Sequence, residues 1–138
     1  MSRDWDAWAR DVERRLDVAH RSDTDFQDLF ASDAVFIDPT QTKSTDELPQ
    51  VSKQTQSLFP DWTQEVTSIR GDEDWAVFEW IGRGTFTPRG ETAGRSMEMF
   101  GVTLVDVDGQ GRVTQWRDYF DMKSVEDQLR GGSAQAPT

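Results

Sequence analysis

The chain predicts an α+β fold, on three observations. Helical periodicity is confined to the first part of the chain, strand alternation runs from Trp62 onward, and a short capped helix closes the sequence. At 138 residues it suits one domain over residues 1–130, with a polar tail over 131–138 expected to be disordered. A chain of this size buries roughly 70% of its unfolded surface. With 6 Trp and 8 Phe in a composition only 35% hydrophobic, aromatic rings must supply much of that core.

The elements follow in order. From Ser2 to about Arg21, the residues Trp5, Trp8, Val12, Leu16 and Ala19 recur at three- or four-residue steps, predicting an amphipathic helix capped by Ser2 or Asp4. Thr24 to Phe30 predicts a second, short helix with Asp23 as cap. Ala34 to Asp38 reads as a strand stopped by Pro39, and Ser44 to Phe59 as a third helix weakened or kinked at Pro49. Trp62 to Arg70 alternates as a strand and Gly71 to Asp74 turns. Trp75 to Phe86 is a long strand in which Gly82 and Gly84 suggest bends or bulges. Pro88 to Gly90 turns the chain into a strand over Arg95 to Val107, and Asp108 to Gly111 closes a hairpin into Arg112 to Phe120. Asp121 caps a last helix, Met122 to Leu129. The order gives a curved antiparallel sheet with helices packed across one side.

Composition narrows the chemistry. With 15 Lys and Arg against 26 Asp and Glu, the net charge is −11, which repels nucleic-acid phosphates and anionic membrane surfaces. There is no Cys and one His, so cysteine nucleophiles, cysteine zinc sites and two-His iron sites are excluded, and no metal or cofactor is expected. His20, at the end of the first helix, suits a capping or surface role. The opening Met1-Ser-Arg-Asp-Trp-Asp lacks the apolar run of a signal peptide, and no membrane span follows, so a soluble, cytoplasmic protein is expected. Asp106 and Asp108 lack the remaining ligands of a calcium loop and read as a hairpin turn. Neither Gly82-Arg-Gly84 nor Gly109-Gln-Gly111 begins a helix, so neither cradles a phosphate.

Carboxylates are then almost the only acid–base tools left. On the last strand Thr114, Trp116, Asp118 and Phe120 share one face, and Val113, Gln115, Arg117 and Tyr119 the other. A carboxyl between two inward aromatics is costly to ionise, so its pKa rises toward neutrality, as acid–base catalysis requires. Asp38 shares a face with Phe36 in the same way. Both have plainer readings: Asp before Pro commonly starts a turn, and Asp118 has Arg117, Arg112 or a helix N-terminus as candidate partners. Trp80, Met97, Met99, Trp116, Phe120 and Phe36 are candidate linings of a flat apolar pocket, or plain core.

The ending Trp116-Arg117-Asp118-Tyr119-Phe120-Asp121 resembles the last strand of limonene-epoxide hydrolase and SnoaL-like polyketide cyclase proteins. The stretch Leu29 to Pro39 resembles the helix-to-strand corner of the same superfamily, above all that of the ketosteroid isomerases, whose base precedes a proline there. The resemblance, to the nuclear transport factor two-like superfamily, covers roughly residues 3 to 130. It implies a cone, a cystatin-like α+β barrel whose curved sheet wraps around the helices and leaves a deep apolar pocket. Homodimers are a further expectation it carries, and Arg117 and Tyr119 on the outer face would suit such an interface.

Departures from the family patterns are informative. Where the epoxide hydrolases carry an Arg and a second Asp, this chain has Trp80-Ile81-Gly82, and it has no Asn to position water. Epoxide hydrolysis would need another carboxylate, Glu98 or Asp38, in place of the missing Asp. Where ketosteroid isomerases carry an oxyanion-binding Tyr and a protonated Asp, it has positions near Arg14 and Thr103. The SnoaL-like pattern, with one acid–base Asp on a late strand, is met by Asp118. The expectation is therefore a small enzyme acting on a hydrophobic carbonyl-bearing substrate by cyclisation or isomerisation, with Asp118 as general acid/base assisted by Asp38. A non-catalytic binding or dimerisation module of the same fold is the rival. Pocket volume separates the two, because a filled cone favours association and a cavity ending at Asp118 favours chemistry.

Overall fold

Six strands form one sheet in the order β2-β1-β6-β5-β4-β3. They are β1 Phe30–Asp38, β2 Gln41–Ser44, β3 Thr63–Gly71, β4 Trp75–Phe86, β5 Arg95–Val107 and β6 Val113–Phe120. The helices are α1 Trp5–Leu16, α2 Leu48–Leu58 and α3 Met122–Leu129, with short 3₁₀ turns at Gln27–Leu29 and Thr45–Glu47. This computed structural model describes residues 3–17, 26–87 and 91–130. Ser2, the segment from Ala19 to Thr24 with His20, Arg21 and Asp23, the turn Pro88 to Gly90, and the tail 131–138 lie outside the described residues.

β3 to β6 are the expected antiparallel meander, and β1 joins it through a parallel pairing with β6. That pairing sets Phe36 against Trp116 and Ile37 against Arg117. One step further, both strands carry an aspartate, Asp38 and Asp118.

Asp4, rather than Ser2, is the cap of α1, its side chain accepting from the Ala7 N–H at 3.0 Å. The helix buries Trp5, Ala9, Val12 and Leu16 against the sheet. The helix expected over Ser44 to Phe59 is divided. Gln41–Ser44 pairs with β1, Ser44 and Glu47 form a reciprocal capping box, and α2 begins only at Leu48. Pro49 stands in the first turn, where a helix N–H has no partner to lose, so it starts α2 instead of kinking it. The expected short helix near Phe30 is the 3₁₀ turn Gln27–Leu29.

Gly82 and Gly84 mark no bulge, since β4 and β5 stay in register from Trp75↔Asp106 to Phe86↔Arg95. Their missing side chains make room: a Cβ on Gly82 would lie 2.3 Å from the Trp62 ring. The register shifts fall elsewhere. One lies between Val66 and Ser68 of β3, where the Val66 N–H donates to Glu13 Oε1 of α1 at 2.6 Å. A second lies in the β1–β6 pairing between Phe30 and Val35, and a third, between Asp106 and Val107, leaves Thr114 as an extra residue on β6. Beyond it Val113 turns inward and is fully buried, which corrects the strict alternation that placed it on the outer face.

The core is aromatic, as the composition requires. Trp116 is 1% exposed, stacks on Phe36 (centroids 6.3 Å apart) and meets Phe26 and Phe78 edge-on. Asp121 caps α3 by accepting from Lys123 and Ser124 N–H groups. Among the described residues no helix is long and apolar enough to cross a membrane.

Candidate active site

The inner face of the sheet and α2 line a cavity of about 190 Å³ that opens to the surface. Asp118, Asp38, Phe36, Trp80, Met99, Trp116 and Phe120, all expected from the sequence, line it. Met97 is on the same inward face but is packed into the core at 3% exposure and is not part of the lining. Sequence reasoning missed the opposite wall, where α2 contributes Val51, Thr55 and Leu58, and Phe59 and Trp62 follow it. It also missed the polar groups Gln41 and Gln64.

Asp118 sits on β6 opposite Thr103 of β5. Its Oδ1 accepts two hydrogen bonds, one from the Thr103 hydroxyl at 2.5 Å and one from the Trp116 indole N–H at 2.7 Å. The Thr103 oxygen in turn accepts from the Trp80 indole N–H at 2.8 Å. Oδ2 has no hydrogen-bond partner among the described residues. Asp118 is half-buried, and its open side faces the largely apolar cavity. That burial pushes its pKa up to about 7, against the two hydrogen bonds, and the nearby Asp38 charge adds to the rise.

Thr103 is fully buried. From sequence it marked the place of a missing acid; in the structure it serves the acid on the neighbouring strand. The available signal was the inward parity of Gly101, Thr103 and Val105 on β5. Gly101 matters for the same cluster, because a Cβ there would lie 2.2 Å from the Trp80 ring.

Asp38 also borders the cavity but is committed to the β1–β2 turn. Its Oδ1 accepts from the Thr40 N–H at 2.7 Å, the Thr40 hydroxyl at 2.7 Å and the Gln41 N–H at 3.1 Å. Its Oδ2 accepts from Gln41 Nε2 at 3.0 Å. The turn-starting reading and the cavity reading both hold for this residue. Glu98, one candidate for the missing acid of an epoxide hydrolase, faces the other way: it accepts from Arg83 Nε at 2.9 Å at the exposed surface.

A wider hollow of about 660 Å³ opens over the other side of the sheet, beside Ile81, Phe100, Val102 and Tyr119. Its carboxylates, Glu79 and Asp121, are exposed, so the perturbed acid belongs to the smaller cavity. Among the described residues no three His, Cys, Asp or Glu side chains gather to hold a metal ion.

A family model described as SnoaL-like polyketide cyclase matches residues 10–129. No curated protein matches the chain by sequence. Among solved structures, IdmH from Streptomyces antibioticus, provisionally classed as a polyketide cyclase, superposes with a TM-score of 0.77 at 21% identity, covering 93% of this chain and 99% of that one. AclR from Streptomyces galilaeus, provisionally classed as a hydroxylase, gives 0.75 at 17% identity, covering 91% and 94%. A protein of ketosteroid isomerase-like fold from Catenulispora acidiphila, in complex with trimethylamine, gives 0.74 at 17% identity, covering 93% and 95%. At these identities the structural likeness shows the fold.

Proposed function

The chain belongs to the SnoaL-like polyketide cyclase family, and from that premise we propose that it is a small enzyme in which Asp118 is the general acid/base for a hydrophobic, carbonyl-bearing substrate. One observation carries the reading: a carboxyl with one oxygen held by Thr103 and Trp116, the other unpartnered, at the wall of an apolar cavity. With its pKa raised to about 7, Asp118 holds a proton about half the time near neutrality. Protonated, it donates to a carbonyl oxygen; ionised, it takes a proton from the adjacent carbon. Both are steps of an isomerisation or an aldol-type ring closure, and neither requires a cofactor. The aromatic walls hold a flat apolar body, and Gln41 and Gln64 offer hydrogen bonds to its polar edge. The charge of Asp38 nearby favours the protonated form of Asp118.

That the cavity reaches Asp118 supports chemistry over a filled, purely associative cone. A positioned proton-transfer group contributes ~10²–10⁴-fold to a rate. The test is Asp118→Asn assayed on hydrophobic polyketide-like ketones and enones that the native protein converts. A loss of at least a hundredfold with the fold intact is expected, and near-native turnover overturns the assignment.

We also propose that the chain pairs with a second copy through the outer face of the sheet. Tyr119, Trp75 and Val35 stand exposed on that face at 52%, 45% and 37%, apolar area that a second copy would cover. Light scattering should give twice the chain mass, and Tyr119→Glu should shift the protein toward monomer.

A further inference from the structure

The hydrogen-bond chain around Asp118 has a direction. An indole N–H only donates, so in the Trp80–Thr103 contact the Thr103 oxygen must accept. The hydroxyl hydrogen of Thr103 is then free to point at its other neighbour, Asp118 Oδ1. Trp116, also a donor only, points at the same oxygen. A proton on Oδ1 would face the Trp116 N–H directly, or would turn toward Thr103 and leave the Thr103 hydrogen buried without an acceptor. Buried donors without acceptors are disfavoured. Oδ2 has no such conflict.

We infer that Thr103, Trp116 and, through Thr103, Trp80 are positioning residues that confine the exchangeable proton of Asp118 to Oδ2. The cluster makes the two oxygens unequal before any ligand arrives. Oδ1 is a fixed acceptor and Oδ2 the single oxygen that delivers or removes the proton. The inference deepens the acid/base reading and rests on it for its consequence in catalysis, though the polarity of the network exists without substrate. The titratable group facing Asp118 is Asp38 on β1. The lining presented by α1, α2, β3 and β5 (Leu16, Thr55, Gln64 and Met99) is uncharged among the described residues.

The experiment uses the full ¹⁵N-labelled chain without ligand. The indole N–H resonances of Trp80 and Trp116, assigned with Trp80→Phe and Trp116→Phe, are followed across pH 4.5–9. In the native protein both should titrate with one midpoint near 7 and stop titrating in Asp118→Asn. Thr103→Val removes a bond to the ionised form. The Trp116 midpoint should then rise by about one pH unit, and the Trp80 signal should cease to report it. Thr103→Ser should restore native behaviour. Should Thr103→Val fail to fold, Trp116→Phe read at Trp80 should raise the midpoint in the same direction. A Trp80 signal that titrates unchanged in Thr103→Val, an unmoved or lowered midpoint, or no titration of Trp116 overturns the inference. Failure of the catalytic reading shows instead as turnover by Asp118→Asn, whatever the indole signals do.

Discussion

Asp38 and Asp118 occupy equivalent positions on two parallel strands, one residue past the pair Ile37 and Arg117, and both border the same cavity. Their surroundings differ. Four donors from Thr40 and Gln41 surround the Asp38 carboxylate, whereas among the described residues Asp118 has two donors on one oxygen and none on the other. Burial pushes the pKa of Asp118 up to about 7, while the Asp38 carboxylate is tied into the β1–β2 turn, so one carboxyl is placed as a working acid/base and the other as a structural neighbour.

Neutralising Asp38 should therefore move the pH profile without abolishing activity. Its charge raises the pKa of Asp118, so Asp38→Asn should shift the break in kcat/KM, expected near pH 7, to lower pH. Asn keeps an acceptor for the turn, whereas Asp38→Ala removes all four bonds and should lower stability by about 1–3 kcal/mol. Complete loss of turnover in a folded Asp38→Asn would make Asp38 a catalytic partner in its own right.

The same burial that suits Asp118 to catalysis should make folding pH-dependent. The folded-state pKa is about 7 against the ordinary aspartate value of 3.8, so between those values the native protein retains a proton that the unfolded chain has released. That favours folding fully below about pH 4 and fades as pH rises through about 7. Urea unfolding should show the native protein losing, relative to Asp118→Asn, on the order of 1 kcal/mol per pH unit across that window, then levelling. Asp61 works with the opposite sign at lower pH, because the Thr85 hydroxyl and amide hold its carboxyl below the usual range. Its contribution is common to both proteins and cancels in the comparison. A flat difference across pH 4–8 would mean that Asp118 is hydrated in the native state.

Packing at Trp80 is set by the residue across the strand pair. Gly101 lies directly opposite it, and an added Cβ would come within 2.2 Å of the Trp80 ring. Gly101→Ala should cost about 1–3 kcal/mol by overpacking and should displace the indole from Thr103. Tryptophan fluorescence and chemical denaturation read both effects. Gly109→Ala, where nothing lies within 4 Å, is the matched control and should be near neutral.

The long elements were legible in the sequence because local pattern and environment agree. β4, β5 and α3 occupy the predicted spans, each bounded by turn residues or a side-chain cap. β2 was not legible, since Gln41-Thr-Lys-Ser44 has no apolar alternation and is a strand only because β1 offers it an edge. Asp118 and the aromatic floor could be read from parity on one strand. The role of Thr103 could not, because it depends on cross-strand register and on which oxygen an indole reaches. Val113 shows the limit of parity itself: one extra residue at Thr114 reverses the face.

β5 outruns its neighbour, since β6 ends at Phe120 opposite Gly101 while β5 begins at Arg95. The edge left open there is closed by a side chain. Gln128 of α3 accepts from the Glu98 N–H at 2.8 Å and donates to the Glu98 carbonyl at 2.7 Å, as a strand residue would. The amide is buried at 6% exposure and is steadied by Ser124, so no water replaces it readily. Gln128→Ala should leave both backbone groups of Glu98 unpaired and cost about 1–3 kcal/mol in chemical denaturation. Gln128→Glu retains the acceptor but loses the donor and sets a carboxylate against the Glu98 carbonyl, so it should be at least as damaging. Hydrogen exchange at the Glu98 amide should quicken markedly in the Ala variant while amides paired within β4 and β5 stay protected. Unchanged exchange at Glu98 would show that α3 docks by its apolar contacts alone and that the open edge of β5 needs no surrogate strand.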